Sequence, residues 1–335
     1  MYLLQNPLDF YRLFVNNELV DLVVKEANRY GASKYNKYKN ITDEEFWVFL
    51  MICFHMGIEH RSNLKEYWSK RLIYSTSFAA KYMSRDRFIE ILNSLHFSDN
   101  ATADKNNRLF MIDSILHLLN NSFYNTYSPD DIVCIDESIV PFRGRVVFRQ
   151  YIKGRRHKFG IELFKLCSKD GYTNRFIVYA GRDKDRQGSV AESIVMRLMN
   201  GLLDCGRKLF ANNFYASIPL AETLIVRNTH YVGTLRKNRI GIPKEIVIKK
   251  LKKSEDIYLQ NNKGIAIMKW RSRRDVFMLT TFNNNERIDG VKPYMVDDYN
   301  QAKGYVDLLD QMAAYTPFVL KTSKWYLRLL MHLIT

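Results

Sequence analysis

The spacing of apolar residues changes near residue 130, and this change limits the folds open to the chain. Before it, apolar residues recur at helical intervals, as in residues 10–30, where Leu19, Val23 and Ala27 would share one face. After the turn-forming residues 128–131 (Ser-Pro-Asp-Asp), apolar and polar residues alternate as they do in strands. The pattern predicts a helical first region and a boundary near residue 128.

Capping residues place further helices in the first region. Thr42 with Glu45 forms a capping box ahead of an apolar run, and Ser84 is suited to cap a helix over residues 85–95. A further helix is predicted over residues 109–123. We therefore expect the first region to be entirely helical.

Strands and helices alternate in the second region. The predicted elements are a strand ending at residue 135, a hairpin of 160–167 and 175–180, a helix capped by Ser189, a strand over 208–211, a helix capped by Ser217 and a strand over 231–235. Another small β unit is expected from residues 264–270 and 275–281. This order is typical of a mixed sheet flanked by helices, the architecture of a ribonuclease H-like nuclease core.

The charge of the chain indicates a polyanionic partner. The 335 residues carry a formal net charge of +16, and 47% of them are apolar, enough for a sizeable core. The longest apolar window, residues 46–57, contains His55 and is too short to cross a membrane. No secretory signal is recognisable at the N-terminus, so a reducing compartment is expected. Nucleic acid is the favoured partner over an anionic membrane surface, and the nucleus or the cytosol is the expected compartment.

The cysteines do not indicate a metal site. Cys53, Cys134, Cys167 and Cys205 are scattered in apolar surroundings without CxxC spacing. We expect four buried thiols and no zinc site.

Carboxylates and a basic stretch suggest metal-assisted chemistry on nucleic acid. Asp136 ends an apolar run, and residues 141–160 carry seven Lys or Arg and no Asp or Glu. Asp307 and Asp310 are spaced to lie on one helix face. Taken alone these signals are weak, because such aspartates more often form turns or caps.

Whole segments of the chain are more specific, because they occur in the order found in one family. The segments are DESIVPFRGR (136–145), FRQYIK (148–153), LFANNFYASIPLA (209–221), GTLRKNR (233–239), PKE (243–245) and YN (299–300) through VDLLDQM (306–312), with MSRDRF (83–88) and LHF (95–97) ahead of them. Together they resemble piggyBac-type transposases and their domesticated, transposable element-derived relatives over nearly the full chain.

The resemblance implies a mixed α+β fold with a ribonuclease H-like catalytic core, a helical N-terminal domain and a β-containing insertion. The implied parts are a helical dimerisation and DNA-binding region (1–128), the first part of the core (129–235), a basic insertion domain (236–292), the last acidic motif of the core (293–314) and a return to the helical domain (315–335). The last residues are expected to be an unfinished helix, and the family's cysteine-rich zinc module is not in this sequence.

The resemblance also implies a chemistry. Family members cut and rejoin double-stranded DNA at transposon ends with three aspartates and Mg²⁺ (or Mn²⁺), target TTAA, and act as homodimers in the nucleus without a small-molecule substrate. Asp136 matches the first aspartate, Asp307 the third, and Asp310 a further acidic position, so these three are the expected metal ligands. Asn212 stands in place of the second aspartate.

Replacing that aspartate by Asn212 is expected to impair catalysis. An uncharged amide in a site for two dications should cost roughly several kcal/mol of metal and transition-state stabilisation. Lys303 and Tyr305 also replace an apolar residue and a glycine of the family pattern. Tyr305 either displaces the helix that carries Asp307 or packs outward.

DNA contacts are expected from two basic stretches. The candidate residues are Arg143, Arg145, Arg149, Lys153, Arg155, Arg156, Lys158, Arg236, Lys237 and Arg239. Four aromatic residues lie in the first stretch, Phe142, Phe148, Tyr151 and Phe159; most should be core residues, and at most one is expected to contact DNA.

Three functions remain open at this point. The first is a DNA-binding transposase descendant with impaired cut-and-paste activity. The second is an active transposase in which Asp310 or Glu137 replaces the missing ligand. The third is a domesticated, non-catalytic DNA- or chromatin-binding or interaction protein.

Overall fold

The computed structural model describes residues 5–74, 78–104, 106–153, 157–181, 188–282, 286–288, 292–315, 318 and 322–334. The chain divides into two compact units. The first unit comprises residues 1–126, 140–161 and 312–335, and the second comprises residues 127–139 and 162–311. Among the described residues, helices are either too short or too polar to span a bilayer.

Helices dominate the first unit and strands the second. The helices are α1 Pro7–Arg12, α2 Asn17–Lys34, α3 Asp43–Ile58, α4 Phe78–Tyr82, α5 Arg85–Ser94, α6 Asp113–Thr126, α7 Val190–Leu198, α8 Ile218–Val226, α9 Lys244–Ile248, α10 Tyr294–Ala302, α11 Gly304–Tyr315 and α12 Trp325–Ile334. The strands are β1 Ile132–Pro141, β2 Gln150–Tyr151, β3 Phe159–Cys167, β4 Thr173–Val178, β5 Lys208–Ala211, β6 His230–Thr234, β7 Asp256–Gln260, β8 Ala266–Arg271, β9 Asp275–Thr280, β10 Arg287–Ile288 and β11 Lys292–Pro293.

The helical start of the chain is confirmed, with one break. The expected single helix over residues 10–30 is wrong, because the side chain of Asn16 accepts a hydrogen bond from the backbone of Leu19 and so begins α2 as a separate helix. The N-caps Thr42 and Ser84 are confirmed. The helix expected from residue 109 begins at Asp113.

Arg87 connects three parts of the helical unit. Its guanidinium donates two hydrogen bonds to the Glu45 carboxylate at the start of α3, at 2.7 and 2.6 Å, and one to Glu90 on α5, at 2.7 Å. It also donates to the carbonyl of Lys39 at 2.9 Å. Both members of the Arg87–Glu45 pair are largely buried, so solvent screens the interaction only weakly.

Replacing Arg87 with methionine should destabilise the helical unit by about 2–4 kcal/mol, because Glu45 is left partly buried without its partner. The hydrogen bonds from Arg87 lower the pKa of Glu45 below its ordinary value of 4.5. A carboxyl whose pKa is lowered by folding stabilises the fold above its unfolded pKa, so wild-type stability should fall as the pH drops through and below about 4.5. Urea unfolding at several pH values measures both effects. An equal acid dependence in Arg87→Met would contradict the assignment to this pair.

A mixed sheet forms the centre of the second unit. Within the described residues its order is β2-β3-β1-β5-β6-β9-β8-β7, with β4 also paired to β3. The central strands β1, β5 and β6 are parallel, and the β3–β4 hairpin is antiparallel as predicted. The expected alternation of strands with α7 and α8 is confirmed. The two late strands expected over 264–270 and 275–281 correspond to β8 and β9, and they extend the same sheet because β9 pairs with β6.

One face of this sheet is covered by α10. Met295 and Tyr299 of this helix pack on the buried side chains of Cys134, Phe210 and Val232 from the parallel strands. Tyr305, at the start of α11, is partly buried against the same cluster. Of the two alternatives for this residue, outward packing is therefore wrong.

The cysteine prediction holds for three positions. Cys53, Cys134 and Cys167 are buried, whereas Cys205 is exposed. Cys205 lies in the turn before β5 between Asp204 and Gly206, which both have positive φ angles, and this turn places its side chain at the surface.

Candidate active site

Asp136 and Asn212 lie side by side because their strands are parallel neighbours. Ile135 of β1 is in register with Ala211 of β5. The residues that follow these two are Asp136 and Asn212, and they are therefore neighbours. Asn212 directly follows β5, as predicted. Asp136 lies within β1 rather than at its end, because β1 continues to Pro141 after its pairing with β5 has stopped.

The amide of Asn212 donates hydrogen bonds to two carboxylates. Its Nδ2 lies 2.9 Å from Oδ1 of Asp136 and 3.1 Å from Oε2 of Glu137. Its Oδ1 accepts a hydrogen bond from the backbone N–H of Phe214 at 2.7 Å. Asn212 therefore connects the acidic residues of β1 with its own turn.

These three contacts fix the orientation of the amide. The reversed orientation would place the NH₂ group against the N–H of Phe214 and the carbonyl oxygen against two carboxylates, and every contact would be repulsive. In the observed orientation, Asn212 presents N–H groups to Asp136 and Glu137. A hydrogen-bond donor therefore lies at the position where an aspartate would have added a third carboxylate to those of Asp136 and Glu137.

The acidic residues of α11 and those of β1 act on the same two buried thiols. Burial raises the pKa of the Cys134 thiol well above its ordinary value, and the charges of Asp136 and Asp307 raise it further. Burial likewise raises the pKa of Cys167 to about 12, with Asp310 adding to the effect. Both aspartates of α11 therefore approach the β1–β3 part of the sheet.

Asp310 has a partner that the sequence analysis did not single out. The buried ammonium of Lys165 on β3 lies 3.0 Å from Oδ1 of Asp310. The Lys165 side chain is 5% exposed and that of Asp310 is 32% exposed. A signal was present in the sequence, because Lys165 interrupts the apolar strand 160–167 at a position on the same face as Leu163 and Cys167.

The loop after β5 is held by two of the predicted DNA-binding residues. Arg236 donates to the side chain of Asn213 at 2.9 Å, and Arg239 donates to the carbonyls of Asn213 and Phe214 at 3.0 and 2.6 Å. Both arginines therefore position the turn that contains Asn212. Lys237, between them, is exposed.

Tyr215, in the same loop, has a buried hydroxyl with no hydrogen-bond partner among the described residues. Burial raises its pKa, and the neighbouring charge of Glu137 adds to this effect. The Glu137 carboxylate therefore accepts a hydrogen bond from Asn212 and has the buried Tyr215 phenol as a neighbour.

The basic residues of the other stretch are mostly exposed. Arg143, Arg145, Lys153 and Lys158 are exposed and make no ion pair within the described part of the chain. Arg149 is exposed but donates to the carbonyls of Arg143 and Gly144, at 2.8 and 3.0 Å. Arg155 and Arg156 lie outside the described residues.

The arrangement does not fit the divalent cations that the family resemblance implies. Mg²⁺ and Mn²⁺ bind oxygen atoms, and residue 212 presents N–H groups to the Asp136 and Glu137 carboxylates while its own oxygen is hydrogen-bonded to Phe214. In the part of the chain that the structure describes, no three His, Cys, Asp or Glu side chains form a group that could hold a metal ion. The assignment of Asp136, Asp307 and Asp310 as metal ligands remains a prediction.

The sheet order and the acidic residues beside its central strands define a ribonuclease H-like core. The fold matches the cryo-EM structure of a piggyBac transposase synaptic complex with hairpin DNA, with a TM-score of 0.91, 25% identity, and coverage of 98% of this chain and 72% of that chain. Residues 6–335 match the family described as Transposase IS4. The chain belongs to this family of piggyBac-type transposases, and the predicted family and fold class are confirmed.

Human relatives cover the same part of the chain. PiggyBac transposable element-derived protein 3 from Homo sapiens is 26% identical over 346 residues, which are 96% of this chain and 58% of the relative. PiggyBac transposable element-derived protein 2 from Homo sapiens is 23% identical over 350 residues, again 96% and 58%. The chain thus spans less than two thirds of the length of these curated relatives.

Proposed function

We propose that this chain is a DNA-binding, piggyBac-type transposase descendant whose cut-and-paste activity is impaired by Asn212. The hydrogen bonds from the Asn212 amide to Asp136 and Glu137 carry the proposal. They occupy carboxylate oxygens that a metal-dependent site would use as ligands. Cleavage would require a cation to displace the Asn212 amide from these carboxylates. The metal site would then still lack one anionic ligand.

Replacement of the missing aspartate by a neighbouring acid is less favoured. Asp310 is paired with the buried Lys165, and its release would leave that ammonium without its carboxylate. Glu137 is engaged by Asn212. Both candidates would have to break an existing interaction before they could bind a cation.

The proposed partner is double-stranded DNA, bound in the nucleus by a homodimer, with transposon ends and TTAA as the sites suggested by the family. Support comes from the net charge, from the exposed side chains of Arg143, Arg145, Arg149, Lys153 and Lys158, and from the matched transposase, whose structure is a synaptic complex with hairpin DNA. The same family implies Mg²⁺ or Mn²⁺, whose affinity for this chain would be reduced.

Salt-dependent binding tests the partner. We expect binding to duplex DNA at low ionic strength, and we expect Arg143→Gln with Arg145→Gln to lower the affinity and to reduce the slope of log K against log salt by roughly two, one for each lost phosphate contact. Lys263→Gln is the control, because Lys263 is exposed but already paired with Glu222. Absence of binding at low salt would favour the alternative, a domesticated interaction protein that keeps the fold alone.

Cleavage of a transposon-end duplex tests the impairment. With Mg²⁺ present, the unmodified chain should give no detectable product. Robust cutting by the unmodified chain would contradict the proposed role of Asn212.

A further inference from the structure

The short hairpin of β2 and β3 carries two exposed aromatic rings. Tyr151 and Phe159 are cross-strand partners, their ring centroids are 5.0 Å apart, and their rings are tilted by 48°. They are 57% and 40% exposed, whereas Phe142 and Phe148 from the same stretch are buried. Two of the four aromatics of this stretch are therefore exposed, and the expectation that at most one of them contacts DNA stays a prediction.

Arg149 fixes one side of this aromatic pair. Its guanidinium lies 5.0 Å from the centroid of the Phe159 ring, and its two hydrogen bonds to carbonyls of the preceding loop hold it there. Phe159 is thus supported by a cation, and Tyr151 is the more exposed of the two rings.

The charged residues of the stretch that carries the pair are all basic. Arg143, Arg145, Lys153 and Lys158 are exposed, and residues 141–160 contain no acidic residue. A phosphate backbone could approach the pair from any part of this stretch without meeting a carboxylate.

We propose that Tyr151 and Phe159 form a stacking site for unpaired DNA bases, with the surrounding basic side chains holding the phosphates. Every base has a π face, so an exposed aromatic ring in a basic setting binds single-stranded DNA without reading its sequence. The inference rests on the proposed DNA-binding function and adds that the chain distinguishes DNA with an unpaired end from a fully paired duplex.

Binding to two matched DNAs tests the site: a blunt duplex, and the same duplex with a short single-stranded thymine tail, both followed by fluorescence anisotropy. The full chain should bind the tailed duplex about tenfold more tightly. Tyr151→Leu keeps an apolar side chain on the hairpin but has no π face, so it should lose this preference and bind the blunt duplex within about twofold of wild type. Tyr151→Trp should retain the preference.

The control is Tyr82→Leu, because Tyr82 is 55% exposed and lies in the same unit. It should leave binding of both DNAs unchanged. Equal binding of the two DNAs by wild type, or an unchanged preference in Tyr151→Leu, would overturn the stacking site and leave DNA binding intact. Binding to neither DNA would overturn both proposals. Circular dichroism and the unfolding temperature show whether each variant is folded.

Discussion

Asn212→Asp should lower the free energy of unfolding by about 2–4 kcal/mol when divalent cations are removed with a chelator. The substitution removes two hydrogen bonds from the amide to carboxylates, each worth about 1.5–3 kcal/mol when one partner is charged. It also places a third carboxylate against Asp136 and Glu137, which the wild-type amide holds at 2.9 and 3.1 Å. Thermal unfolding should therefore begin roughly 5–10 °C lower.

Divalent cations should reverse this loss in the variant and have little effect on wild type. A cluster of carboxylates that repel one another is stabilised by a bound dication, and binding to the folded state alone raises the unfolding temperature. Calorimetry of wild type and of Asn212→Asp, each with Mn²⁺ and with chelator, gives the four unfolding temperatures to be compared. The result would make residue 212 the position that determines whether the folded chain depends on a metal.

Asn213→Asp is the matched control. Asn213 is exposed, and its side-chain oxygen accepts a hydrogen bond from Arg236, an interaction that a carboxylate preserves. This variant should unfold close to the wild-type temperature with or without Mn²⁺. If Asn212→Asp behaves in the same way, the amide does not hold the two carboxylates together, and the proposed cause of impairment fails.

The position of residue 212 could be predicted from the sequence, but its contacts could not. Local patterns were sufficient for β5 and its end, because an apolar strand followed by two asparagines is a clear boundary signal. The direction of the Asn212 amide depends on a local contact with the backbone of Phe214 and on the carboxylates of Asp136 and Glu137. Only the register of β1 with β5 brings these carboxylates to Asn212. Long-range pairing of this kind leaves no trace in local periodicity.

The same limit explains the late strands and Lys165. The extent of the late strands β8 and β9 could be predicted from the alternation of apolar and polar residues. Their membership of the central sheet depends on the pairing of β9 with β6. A lysine within an apolar strand looks like an edge or solvent position until its partner Asp310, 145 residues further on, is known. Expectations based on periodicity were correct for the type of most elements, less accurate for their bounds, and incomplete for charges whose partners are distant in sequence.

Asp310→Ala should cost about 3 kcal/mol of stability, whereas Asp307→Ala should cost less than about 0.5 kcal/mol. The two aspartates lie one turn apart on α11, but only Asp310 pairs with the buried ammonium of Lys165. Removing its carboxylate leaves Lys165 buried without a counter-ion, which is the costly way to break such a pair. Asp307 is exposed and forms no ion pair within the described residues, so its loss should leave no buried charge unpaired there.

A double-mutant cycle separates this pairing from other effects of the substitution. Lys165→Met alone should cost about 1–2 kcal/mol, because the remaining Asp310 carboxylate is about a third exposed and can be hydrated. Combined with Asp310→Ala, it should recover much of the loss, because the unpaired ammonium is then absent. Strictly additive losses in urea unfolding would contradict the pairing. Recovery would make Lys165 the residue that fixes α11, and with it Asp307, against the strand next to Asp136.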